Sequence, residues 1–151
     1  MKRLLFVLYV SIFVVDAQSA STTATATMNV IAAIAITNAS NMVFPNAAVG
    51  DPAFILPPGA AENANNASFN ITGNPSTPFT IQLPATATMI TGAGGANRTI
   101  LVNAFTSTPA TTGTLSAGGT AKLYVGATRA ALPATQITGA YTATFTVTVI
   151  Y

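Results

Sequence analysis

The side chains that carry most enzyme chemistry are scarce in this sequence. Its 151 residues include no histidine and no cysteine, which removes the usual nucleophile–base pairs and the imidazole or thiolate zinc sites. The carboxylates number three. One of them, Asp16, falls in a leader-like stretch, which leaves Asp51 and Glu62, both in sequence rich in Pro, Gly and Asn. Two carboxylates are the minimum equipment of a glycosidase, and the run from Asp51 to Asn66 has oxygen donors of the kind calcium takes. Neither reading has the pattern that should accompany it: nothing else suggests a sugar cleft, and no EF-hand or repeat spacing is present. Gly92-Ala93-Gly94-Gly95 looks like a phosphate loop but lacks the Gly-Lys-Ser/Thr ending, and it runs into strand-like rather than helical sequence. Asn38-Ala39-Ser40, Asn66-Ala67-Ser68, Asn70-Ile71-Thr72 and Asn97-Arg98-Thr99 match the glycosylation acceptor pattern, which arises often by chance in a chain this rich in Asn and Thr. The expectation is a protein that is not an enzyme, with no catalytic residues, no cofactor and no metal.

Lys2 and Arg3 precede a nearly unbroken apolar run, Leu4–Val15, and Asp16-Ala17-Gln18-Ser19-Ala20 then supplies small residues where a signal peptidase cuts. The run is 12 residues long, against about 20 for a helix that spans a bilayer. Residues 1–20 are therefore read as a signal peptide, with a mature start near Gln18, an exported product and no membrane span after cleavage. Beyond the leader, Arg98, Lys122 and Arg129 stand against Asp51 and Glu62, a net charge of +1. That is no field to hold a phosphate backbone, so a nucleic-acid partner is not expected. Export permits disulfides, but without cysteine the fold must rest on packing and sheet hydrogen bonds.

The elements that would position any site are strands. Tyr141, Ala143, Phe145, Val147, Val149 and Tyr151 alternate with Thr142, Thr144, Thr146 and Thr148, a period of two that marks a last strand with one buried face. Ala24, Ala26, Met28, Val30, Ala32, Ile34 and Ile36 share a face in the same way. That run is longer than the usual 5–6 residues or so, and it reads as two strands with a change of environment near Val30–Ala32. Between these ends come Phe54–Leu56, Ser68–Thr72, Pro78–Leu83, Arg98–Phe105 and Thr120–Thr128, separated by Gly-, Asn- and Pro-rich turns, with Phe69, Ile71, Phe79, Ile81 and Leu83 inward. Many short strands with such turns predict an all-β, immunoglobulin-like antiparallel sandwich over residues 32–151. Tyr141, after Gly139-Ala140, reads either as a tyrosine corner bonded to upstream backbone or as an ordinary inward tyrosine.

Three segments are informative together: Ala24-Thr25-Ala26-Thr27-Met28, Gly113-Thr114-Leu115-Ser116-Ala117-Gly118-Gly119-Thr120, and Gly139 to Val149. They resemble a family of exported bacterial domains of unknown function whose members end in a GxYxGxFxVxVxY-like strand. Position 143 is Ala here, where that family commonly has Gly. More distantly, the layout is similar to the archaic chaperone–usher pilins, the spore-coat-U-type domains. It departs from them in having no disulfide cysteines and in carrying Met42-Val43-Phe44-Pro45 where an LxFG-like motif is usual. This resemblance implies donor-strand complementation, in which residues 21–31 leave their own domain and complete a neighbour's sheet, with Ala24, Ala26, Met28 and Val30 as the subunit interface and Tyr141, Phe145, Val147, Val149 and Tyr151 as the structural last strand. The implied function is a structural subunit of an extracellular pilus-like fibre, a head-to-tail homopolymer that crosses the periplasm with a chaperone and an outer-membrane usher as partners. The alternative is a self-contained immunoglobulin-like cell-surface or adhesive module whose N-terminal strand stays in its own sheet.

Overall fold

Alternating Thr, Val and Ile favour extended backbone because branched Cβ atoms pack well on a pleated surface. The structure, a computed structural model, describes residues 18–151 and contains nine strands and no helix among them. Residues 1–17, most of the stretch read as a signal peptide, lie outside the described residues. The chain divides into two units, one ending at Val30 and one running from Ile31 to Tyr151. In the first, residues 18–30 form no strand and are exposed throughout.

In the second unit the strands are β1 (Ala35–Ser40), β2 (Phe54–Leu56), β3 (Ala67–Thr72), β4 (Pro78–Gln82), β5 (Thr86–Ile90), β6 (Thr99–Thr108), β7 (Thr112–Thr114), β8 (Thr120–Arg129) and β9 (Thr148–Ile150). One sheet runs β1-β3-β8-β6-β5, with β2 also paired to β8, and the other runs β7-β4-β9. Every pairing is antiparallel. On β8, the β3 ladder ends at Ala67 opposite Val125, and the β2 ladder begins at Leu56 opposite Ala127. Gly126 sits at that changeover, where a Cβ atom would strike the Leu56 carbonyl and the Pro57 backbone. Only glycine admits so close an approach.

Alternate residues of both sheets meet in one core: Phe69, Ile71, Leu123 and Val125 from the larger, and Phe79, Ile81 and Val149 from the smaller, joined by Leu115 and Val147. The inward face read for Phe69, Ile71, Phe79 and Ile81 is buried, and Leu83 packs partly buried against the same cluster. The order agrees with an immunoglobulin sandwich, whose sheets are ABED and CFG. β1-β3-β8-β6 stand as A-B-E-D, and β4 and β9 stand as C and F. Among the described residues no strand takes the place of G beside β9.

Three sequence readings need correction. The N-terminal alternation becomes strand only from Ala35, because a strand exists where a neighbour takes its hydrogen bonds and period two does not report a neighbour. β5 and β7 were not read as strands; both are short, and neither buries a whole face. The last strand, expected over Tyr141–Tyr151, is a paired strand only at Thr148–Ile150.

Candidate functional site

The site grows out of that last correction. Thr142 exchanges both backbone hydrogen bonds with Ile90 at the end of β5. Thr148–Ile150 pairs with Gln82, Ile81 and Thr80 of β4. From Ala143 to Val147 no backbone hydrogen bond is made among the described residues. β4 and β5 are consecutive, joined by Leu83-Pro84-Ala85. In the β4–β9 register Pro84 falls opposite Thr146, where a proline has no N–H to offer.

The direction of each peptide group follows from the neighbouring bonds. The Ile81 N–H donates to Thr111, and the Leu115 N–H donates to the Thr77 carbonyl, so odd positions of β4 face β7. The even positions, Thr80 and Gln82, therefore bond Ile150 and Thr148, and even positions of the last segment face β4 and β5. The N–H and C=O groups of Ala143, Phe145, Val147 and Val149 point to the opposite, open edge, the side on which a G strand would lie.

That stretch borders a cavity of about 570 Å3, lined by Asn41–Phe44 and Tyr141–Phe145 among others. Phe69, Val102, Phe105 and Met89 also line it. Phe145, partly buried, meets Phe69 edge-on (centroids 6.4 Å apart, planes at 79°) and Phe105 at a tilt (5.2 Å, 43°). Both are favourable aromatic geometries. Val147 and Val149 are buried beyond it, while Ala143, Thr144 and Thr146 are exposed.

Tyrosine hydroxyls pin both ends of the segment. Tyr141 donates to the Ile137 carbonyl at 2.6 Å, has the Asn97 carbonyl at 3.2 Å as a second acceptor, and accepts from Gln136 Nε2 at 2.7 Å. The bond to Ile137 is the upstream backbone contact of a tyrosine corner. Tyr151 donates to the Ala32 carbonyl at 2.9 Å and accepts from the Asn74 N–H at 2.6 Å.

The predicted interface residues, Ala24, Ala26, Met28 and Val30, lie in no strand, and Met28 and Val30 are 86% and 79% exposed. The carboxylates come to no shared site: Glu62 pairs with Lys122 at 3.7 Å on the surface, and Asp51 Oδ2 accepts the Ala48 N–H at 2.8 Å in a turn. No cluster of metal-ligating side chains occurs among the described residues, and no helix long and apolar enough to cross a membrane is found among them. Sequence reading passed over Arg129, which is buried. The signal was present, since Leu123, Val125, Ala127 and Arg129 are alternate positions of β8.

The molecule is thus an all-β protein of two antiparallel sheets, with an apolar groove beside an incompletely paired last segment. The chain belongs to the family described as Domain of unknown function (DUF4402), whose pattern it matches over residues 46–151. No curated protein and no solved structure matches it.

Proposed function

We propose that the protein is a structural subunit of a pilus-like extracellular fibre, in which residues 22–31 of one copy lie along the open edge of the last segment of the next. One observation carries this reading: an apolar groove beside unpaired peptide groups, in a chain that also presents an exposed, uncharged, alternating segment. An added strand would hydrogen-bond with Ala143, Phe145 and Val147 and set alternate side chains over Phe69 and Phe105. Met28 and Val30 are the large anchors, worth about 1.5–3 kcal/mol each when fully buried. Ala24 and Ala26 contribute less, so the ladder hydrogen bonds matter. Because donor and acceptor are different surfaces, the contact does not close on itself and propagates a fibre. An open edge above an apolar groove invites aggregation, so a periplasmic chaperone and an outer-membrane usher belong to the proposal as its partners in assembly. The role asks for no catalysis and no cofactor.

Deleting residues 22–31 tests it. The expected product is a folded subunit that forms no fibres by electron microscopy but binds a peptide of that sequence. Met28→Asp should also block assembly, since it would carry a charge into the groove without a partner. A wild-type protein that stays monomeric at high concentration, with residues 22–31 protected from hydrogen exchange, would favour the self-contained surface module instead.

A further inference from the structure

The alternation along β8 carries a guanidinium to the buried face. Arg129 is 5% exposed, Nη1 donates to the Ala130 carbonyl at 2.8 Å, and Nη2 donates to the Pro52 carbonyl at 2.9 Å. A guanidinium has five N–H donors, so these bonds leave capacity unused. Among the described residues the ion pair formed is Lys122–Glu62, and no carboxylate lies within 4.0 Å of Arg129. Asp51, next to Pro52 in the chain, turns its carboxylate to the Ala48 N–H instead. A buried charge is costly unless an opposite charge compensates it.

Arg129 also lines a second cavity, of about 740 Å3, within the size range of small-molecule sites. Phe44, Val49, Met89, Ile100 and Leu132 supply its apolar walls, and the buried Gln136 stands among them. A single cation in an otherwise uncharged, mostly apolar wall matches one kind of ligand. We propose that this cavity binds a monocarboxylic acid with an aliphatic body, its carboxylate on Arg129 and its chain along the apolar walls. Carboxylate oxygens take the guanidinium fork two at a time and form the stronger, charge-assisted class of hydrogen bond. The site uses neither the peptide groups of Ala143–Val147 nor residues 22–31, although Phe44 and Met89 line both cavities.

The test is calorimetric titration of the purified protein with octanoate and, in parallel, with 1-octanol. Octanoate should bind saturably at one site, with the alcohol about tenfold weaker or more, as loss of a charge-assisted bond implies. Arg129→Gln should remove the preference for the acid. Val49→Trp, at a position 44% exposed on the cavity wall and so tolerant of substitution, should abolish octanoate binding. If Arg129→Gln fails to fold, the comparison of acid with alcohol and the Val49→Trp variant decide alone. Equal affinity for acid and alcohol, absence of saturation, or octanoate binding untouched by Val49→Trp would each overturn the assignment.

Discussion

At the scale of single residues, Phe145 has the most to tell. It lies on the inward face of the last segment, yet it is only partly buried, because one side of its ring rests on Phe69 and Phe105 while its surroundings open into the groove. Phe145→Ala should therefore destabilise the fold by about 2–3 kcal/mol, somewhat less than truncation of a fully enclosed aromatic. Thr146→Ala, on the exposed face, should stay within about 1 kcal/mol. Thermal melts of the two variants check the register, and equal losses would mean that the faces are misassigned. The inward positions were legible in the sequence, as the burial of Val147 and Val149 confirms. Arg129 was not read, because a charged side chain is ordinarily counted to the surface even where alternation puts it inside.

Elements tell a different story from residues. Period two reports which face of a strand is buried; it is silent about whether the backbone edges are paired. Hence the face of residues 141–149 was predictable, whereas the gap at Ala143–Val147 was not, since it depends on the break that Pro84 makes between β4 and β5. The same limit explains why the N-terminal alternation did not become strand before Ala35. Close approach of elements leaves its own trace in glycine. At Gly126 any Cβ meets backbone of the β2 end, which cannot rotate away as a side chain can. Gly126→Ala should cost about 3 kcal/mol, at the upper end of overpacking effects. Gly118→Ala is the control, because its nearest neighbour would be Ser116 Oγ at 3.7 Å, and it should change stability by no more than about 0.5 kcal/mol. Urea denaturation measures both, and a neutral Gly126→Ala would contradict the close changeover from β3 to β2 along β8.

For the whole molecule, turn spacing was enough for a two-sheet antiparallel sandwich. Which residues line the grooves was not legible beforehand, since they are far apart in sequence, such as Met42, Phe105 and Phe145. Nor was the contact that ties the beginning of the second unit to its end. The Tyr151 hydroxyl holds the carbonyl of Ala32 and the amide of Asn74 at once. That junction has a mechanical meaning. Tension applied through the N-terminal segment arrives at Ala32 before it reaches the β1–β3 ladder, and the tyrosine diverts part of the load into the turn after β3 and into the C-terminal segment. Tyr151 then acts as a strain relief, delaying the moment at which β1 bears the pull alone. Tyr151→Phe removes the hydroxyl while keeping the ring, and should lower equilibrium stability by only about 1 kcal/mol, the net worth of a typical hydrogen bond. In single-molecule stretching from the N-terminus it should reduce the rupture force out of proportion to that small loss, and an unchanged rupture force would mean that the load path bypasses Tyr151.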